Sequence, residues 1–204
     1  MDGAGGLEVV PGGPVPRTGT RVRREAFRYL RRGQPADPAA IAAALGLTVE
    51  EVRDALVALA DRGLAELDGS GRVVGVGGLT VRPGRHRLTL EGVELWTWCA
   101  VDAIGIPASL GADAVAVTSC PTCERELRVE MPGGRAVGGG ELRAWLPRVD
   151  RIRNVVDELC PEVNLFCDET HLGTWRALRG DPPGEALTVE EVQGIGERWW
   201  RDLR

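Results

Sequence analysis

No lysine occurs among the 204 residues of this chain, so arginine carries all of its positive side-chain charge. That absence excludes Schiff-base chemistry through a lysine amine, and a phosphate-binding loop that closes on a lysine. Histidine is nearly absent too, with only His86 and His171 to supply an imidazole. No apolar run is long enough to span a membrane and no signal peptide is recognisable, which makes the cytoplasm the expected location and a membrane an unexpected partner. The net charge of −5 disfavours a generic nucleic-acid binder.

What the chain does have is five cysteines, Cys99, Cys120, Cys123, Cys160 and Cys167, an odd number in a sequence without an export signal. In a reducing compartment these are thiols, and metal binding or catalysis outranks a disulfide framework. The bland alternative for each is a small apolar core residue, since free cysteine is among the most buried side chains.

The pattern along the chain predicts an α+β protein. Residues 1–16 are rich in glycine and proline and are expected to be disordered. Three helices should follow. The first spans Val22 to Arg32. The second is capped by Asp37 with Pro38 at its first position, and ends at Gly46. The third opens on the capping box Thr48-Val49-Glu50-Glu51 and runs to Gly63. Leu64–Leu67, the turn Asp68-Gly69-Ser70-Gly71 and Arg72–Val76 read as a hairpin, completing a winged-helix-like module over 17–77. A recognition helix facing DNA needs basic or amide side chains. This one offers Glu50, Glu51, Asp54 and Asp61 against Arg53 and Arg62, so the module reads as structural and no nucleic-acid partner is expected.

The second part, 78–204, reads as a mixed domain with a small sheet. It has an extended stretch to about residue 94, a helix bearing Cys99 that ends near Gly105–Pro107, and strands over Ala114–Thr118 and Leu127–Met131. A glycine-rich loop at 133–140 lacks the context of a phosphate cradle, and 142–159 is hard to divide because Pro147 interrupts any long helix. Val163–Phe166 is a core strand, and Thr188-Val189-Glu190-Glu191 opens a terminal helix with Val192, Ile195, Trp199 and Leu203 on one side.

Cys99 and Asp102 stand three residues apart, a spacing that puts a thiol and a carboxyl on one face of a helix, close enough to exchange a proton. With Cys160 as a second soft sulfur, they form what breaking a bond between carbon and a soft metal would need. Without such a role, Cys99 among Trp96, Trp98, Ala100 and Val101 is simply part of a buried helix, with Trp98 a wall that excludes water.

Several segments resemble the organomercurial lyase (alkylmercury lyase) family. They are Gly78-Leu79-Thr80-Val81-Arg82-Pro83 with His86-Arg87-Leu88, then Trp98-Cys99-Ala100-Val101-Asp102 followed by Ile106-Pro107, and Leu159-Cys160 before Val163-Asn164-Leu165-Phe166. The resemblance covers about residues 20–204. It implies a catalytic trio of Cys99, Asp102 and Cys160, which would also hold the Hg(II) product. It further implies no organic cofactor, release of the ion to cellular thiols or to a mercuric reductase, and a monomer. Cys120 falls where many members carry a further, structural cysteine. The chain departs from the family after the distal cysteine, where Pro161 and Glu162 replace a common cysteine and histidine, and in Cys123 and Cys167.

Two other functions compete: a metal-responsive winged-helix regulator, which would want a basic recognition helix, and a diverged, non-enzymatic soft-metal-binding protein. Cys120-Pro121-Thr122-Cys123 is in isolation the turn of a zinc knuckle. Tetrahedral zinc needs four ligands, and the remaining Cys160, Cys167, His86 and His171 show no familiar second pair. The turn is therefore read as a tight hairpin with one buried thiol and one extra. His86, between Arg85 and Arg87, is expected to be structural or solvent-facing, and His171 to lie at a helix start without a catalytic partner.

Overall fold

The computed structural model describes residues 14–149 and 151–203. The first thirteen residues of the expected disordered tail lie outside the described residues. Helix α1 (Arg17–Leu30) begins five residues before Val22, because Thr20 N–H donates to Pro16 O and closes an extra turn. Val22, Ala26, Phe27 and Leu30 form its buried stripe, at the spacing of one helix face. Helix α2 (Pro38–Leu45) is capped by the Asp37 carboxylate and closed by left-handed Gly46. In α3 (Val49–Ala60) Thr48 and Glu51 exchange both bonds of the capping box, a cap worth about 1 kcal/mol. Strands β1 (Ala65–Leu67) and β2 (Val73–Val76) make the hairpin read from the sequence.

The chain does not leave the sheet after this hairpin. The order β1-β2-β3-β5-β4-β6-β7 makes one seven-stranded antiparallel sheet, formed with β3 (Leu79–Thr80), β4 (His86–Leu90), β5 (Val93–Thr97), β6 (Ala114–Ser119) and β7 (Glu126–Met131). The wing is thus joined edge to edge to the strands that follow, with Val76 paired to Leu79 across left-handed Gly77 and Gly78. A second sheet, in the order β10-β8-β9, takes β8 (Arg143–Pro147), β9 (Leu165–Phe166) and β10 (Gly184–Leu187). Pro147 therefore ends a strand, and a single π-turn at Val155–Leu159 follows it.

Two helices cover the strands. The sequence places a helix across Leu95–Trp98, but Leu95–Thr97 pair with β4, Trp98 N–H donates to Gly78 O, and the helix α4 (Ala100–Leu110) starts only after Cys99. It also continues through Pro107 to left-handed Gly111 instead of stopping there. Its buried flank is pressed against α6 (Val189–Trp199), opened by the Thr188–Glu191 capping box. At that crossing a side chain on Gly196 would overlap the Gly105 backbone, so the two glycines let the helices approach. Trp200, beyond the helix, is buried in place of the half-buried Trp199, and its Nε1–H donates to Gly77 O at 2.6 Å. Helix α5 (Glu169–Ala177) is capped by Asp168.

Candidate active site

Cys99 sits where β5 ends and α4 begins, with extended backbone, as the N-cap residue. Asp102 is the third residue of the helix, and its carboxylate accepts the Cys99 N–H at 2.9 Å. The pair is a capping box in which a thiol takes the place of the usual hydroxyl, with the Asp102 N–H facing the sulfur. The spacing of three residues thus brings thiol and carboxyl together, although Cys99 lies at the helix entrance and not inside it.

Cys160 arrives from 61 positions further along the sequence, at the end of the π-turn and the start of a short 3-10 turn through Pro161 and Glu162. One bond holds that turn against α4, Ala100 N–H donating to Val163 O at 3.2 Å, while Val163 N–H donates to Cys160 O at 3.2 Å and closes the turn itself. Buried Asn164 fixes its other side, donating to Pro161 O at 3.0 Å and accepting from the Arg85 guanidinium at 2.8 Å. The result is a cluster of two sulfurs and a carboxylate oxygen all within 4.8 Å of one another. Cys99, Asp102 and Cys160 are 5%, 7% and 5% exposed, so water scarcely reaches them.

Burial raises the Asp102 carboxyl to about 7, against the pull of the Cys99 thiol, the Cys99 N–H and the Arg23 guanidinium. Burial also pushes the Cys99 thiol well up, helped by its hydrogen bond with Cys160 and by the Asp102 charge, while the Asp102 N–H opposes. A neutral thiol therefore lies against a carboxyl that is half ionised near neutral pH. Gly78 makes room for it: its φ is +90°, and a Cβ there would stand 2.5 Å from Asp102 Oδ1.

A cleft of about 480 Å³ reaches Cys160, with Trp98, Arg82, His86 and Glu66 among its walls. Half-buried Trp98 is pinned at its lip by donating from Nε1 to Glu66 Oε2 at 2.8 Å. His86 is buried rather than solvent-facing, bonded through Nδ1 to Thr118 Oγ1 at 2.8 Å, and held down to about 4 by burial and the Arg85 charge. It is neutral at physiological pH.

From sequence alone no role falls to Arg23, whose charge from α1 acts on Asp102, to Glu66, or to Asn164, which enters only within a resembling segment. Only their partners distant in the chain reveal them. His171 does lie in the first turn of α5, as expected, but Cys120, Cys123, Cys167 and His171 form a second cluster.

A buried dithiol beside a carboxyl of raised pKa, in the mixed domain that follows a winged-helix-like module, is an arrangement able to take up a soft metal and to pass a proton beside it. The alkylmercury lyase (MerB) family model matches residues 79–201, and that of the helix-turn-helix domain of alkylmercury lyase matches residues 11–77. The alkylmercury lyase of Staphylococcus epidermidis is 31% identical over 175 residues, covering 85% of this chain and 78% of that protein. The alkylmercury lyase of Bacillus cereus is 29% identical with the same coverage. The mercury-bound form of MerB2 shares the fold with a TM-score of 0.87 over 93% of each chain, at 21% identity. The chain belongs to the alkylmercury lyase family.

Proposed function

We propose that this enzyme cleaves the carbon–mercury bond of organomercurials, with Cys99 and Cys160 as the sulfur donors and Asp102 as the proton relay. The observation that carries the reading is the convergence of these three side chains, within 4.8 Å and out of water. Mercury is soft and favours thiolate. A thiol held above its ordinary pKa has few thiolates to offer, so an adjacent base must take its proton as sulfur meets metal. Asp102 is hydrogen-bonded to that thiol and, at about 7, is able to accept a proton and return it.

The steps balance. With a substrate R–Hg–X, Cys99 sulfur bonds mercury, X⁻ leaves, and the thiol proton passes to Asp102. Cys160 adds as the second sulfur, its proton leaving with X⁻ as HX. The electron-rich mercury then releases the carbon with its bonding pair, and Asp102 protonates it. The products are the hydrocarbon R–H, HX, and Hg(II) bridged by two thiolates, with Asp102 again ionised. External thiols in the cytoplasm, or a mercuric reductase, would take the ion. The exposed side of α3, with Glu50, Glu51 and Asp54, gives no support to a regulator that reads DNA.

The test is benzene release from phenylmercury with excess thiol, comparing the parent with Cys160→Ala and Asp102→Asn. The parent should turn over, Cys160→Ala should not, and Asp102→Asn should bind the mercurial yet cleave it slowly. Tight mercury binding with no benzene from the parent would favour a non-catalytic soft-metal protein instead, and substantial turnover by Cys160→Ala would refute the two-thiolate step.

A further inference from the structure

The thiols left over from the catalytic trio are not scattered. Cys120 and Cys123 lie in the turn between β6 and β7, while Cys167 follows β9 and His171 lies in the first turn of α5. One ligand atom from each of the four meets the others within 4.8 Å. Cys123 Sγ and Cys167 Sγ are 3.5 Å apart, and all five cysteines are free thiols. Zinc–sulfur bonds of about 2.3 Å at tetrahedral angles put sulfurs about 3.8 Å apart, so the spacing needs little adjustment to receive an ion.

The rest of the environment fits a metal knuckle. The backbone N–H groups of Thr122, Cys123 and Cys167 face the Cys120 sulfur, where they would stabilise a bound thiolate. Thr122 Oγ1 donates to His171 O at 2.8 Å, locking the turn to the helix that carries the imidazole. His171 Nδ1 is buried and has no hydrogen-bond partner among the described residues, with Asp168 Oδ2 3.5 Å away. Cys120 and Cys167 are buried while Cys123 is exposed, which leaves a route in from solvent.

We propose that Cys120, Cys123, Cys167 and His171 bind one Zn²⁺ in a tetrahedral Cys3His site, distinct from the catalytic trio and sharing no residue with it. The ligand pairs are Cys-x2-Cys and Cys-x3-His. The second pair spans the N-cap of α5: Asp168 accepts the His171 N–H at 2.8 Å, which orders the first helical turn. All four positions are filled by protein, so the site is structural and offers no open position for catalysis. Binding releases three thiol protons to solvent and makes no change in oxidation state. The ion would tie the tip of the seven-stranded sheet to the end of β9, five residues beyond Pro161 and in the same segment that holds Cys160.

The experiment is metal analysis of the full-length reduced protein after loading with zinc and desalting, with Co²⁺ as a spectroscopic substitute. One zinc per chain is expected, and the cobalt form should show the intense ligand-field bands of a tetrahedral centre with thiolate charge transfer. Cys123→Ser and His171→Ala should retain roughly a tenth of that zinc or less, while Cys160→Ala should retain all of it. Cys123 is exposed, so its serine variant should stay folded by circular dichroism and separates lost ligation from lost structure. A reduced parent that takes up neither metal overturns the proposal, as does a zinc content that falls in Cys160→Ala but not in Cys123→Ser. A Cys123–Cys167 disulfide in the purified chain with no zinc uptake after reduction overturns it as well. Metal content is read without a mercurial, so this result stands apart from the cleavage assay.

Discussion

The buried carboxyl should make the enzyme less stable than it need be, and the cost can be read as a function of pH. Asp102 titrates near 7 in the folded protein, against 3.8 for an ordinary aspartate. Because the folded value is raised, the folded state binds the proton more tightly than the unfolded chain does. The favourable term is fully present below the unfolded pKa and is lost as pH rises through the folded one. The gap corresponds to roughly 4 kcal/mol, of which about 2 kcal/mol has been lost by pH 5 and nearly all by pH 8. Asp102→Asn removes the titration while keeping an oxygen able to accept the Cys99 N–H. Any constant packing or hydrogen-bond difference between amide and acid shifts all pH values equally, so the informative quantity is the slope. From pH 5 to pH 8 the stability of the variant should gain on the parent by roughly 2–3 kcal/mol, or about 5–10 °C in Tm for a chain of this size. Thermal or urea unfolding of both proteins across that range, without mercury, measures it. A parent-to-variant difference that stays flat with pH would show that Asp102 ionises like an exposed aspartate. A proton relay through Asp102 would then have no support in its ionisation.

Two further substitutions probe the same carboxyl from other sides. Gly78→Ala sets a Cβ at 2.5 Å from Asp102 Oδ1 on a backbone with φ +90°, and should destabilise the fold by roughly 2–4 kcal/mol while depressing cleavage, as urea unfolding and benzene release would show. Wild-type stability there would mean the carboxyl has room to move. Arg23→Met removes a cation that lowers the Asp102 pKa, so the pH dependence of cleavage governed by that group should move to higher pH. Arg23 also faces Asp202 and Arg62, so the readout is the pH profile and not activity at a single pH; an unmoved profile would exclude Arg23 as a tuning group.

Local chemistry made much of the fold readable in advance. Asp37 with Pro38, Thr48 with Glu51 and Thr188 with Glu191 mark helix starts through bonds made within four residues, and each start lies where those residues put it. Leu95–Trp98 misled because the helix that follows is apolar nearly throughout, and no change of period marks the boundary at Cys99. The strand is set by pairing with β4, which is not a local property. The thiol–carboxyl contact was readable from spacing alone. The approach of Cys160 rested on resemblance, since it depends on the bond from Ala100 to Val163. The second cluster was hidden for a plainer reason. Cys167 and His171 carry no familiar ligand spacing of their own, and they meet Cys120 and Cys123 only through the placement of β9 beside the tip of β6 and β7.

The winged-helix module has a physical role in the site that its DNA-binding shape conceals. Each member of the trio is braced from it. Arg23 of α1 places its charge on Asp102. Glu66 of β1 holds the indole of Trp98, the residue before Cys99. The turn after α3 supports the Cys160 segment, for Val155 N–H donates to Arg62 O at 3.1 Å and a side chain on Gly63 would strike Asn154. The sheet adds a fourth tie, since β2 is hydrogen-bonded to β3 and the Gly77–Gly78 bend between them lies against Trp200 and Asp102. A module tethered only by a linker would impose none of these constraints. Here α3 turns an acidic face outward, while other parts of the module brace the Cys99–Asp102–Cys160 cluster. That division explains how a three-helix unit can be retained on the scaffold without a basic groove-reading surface.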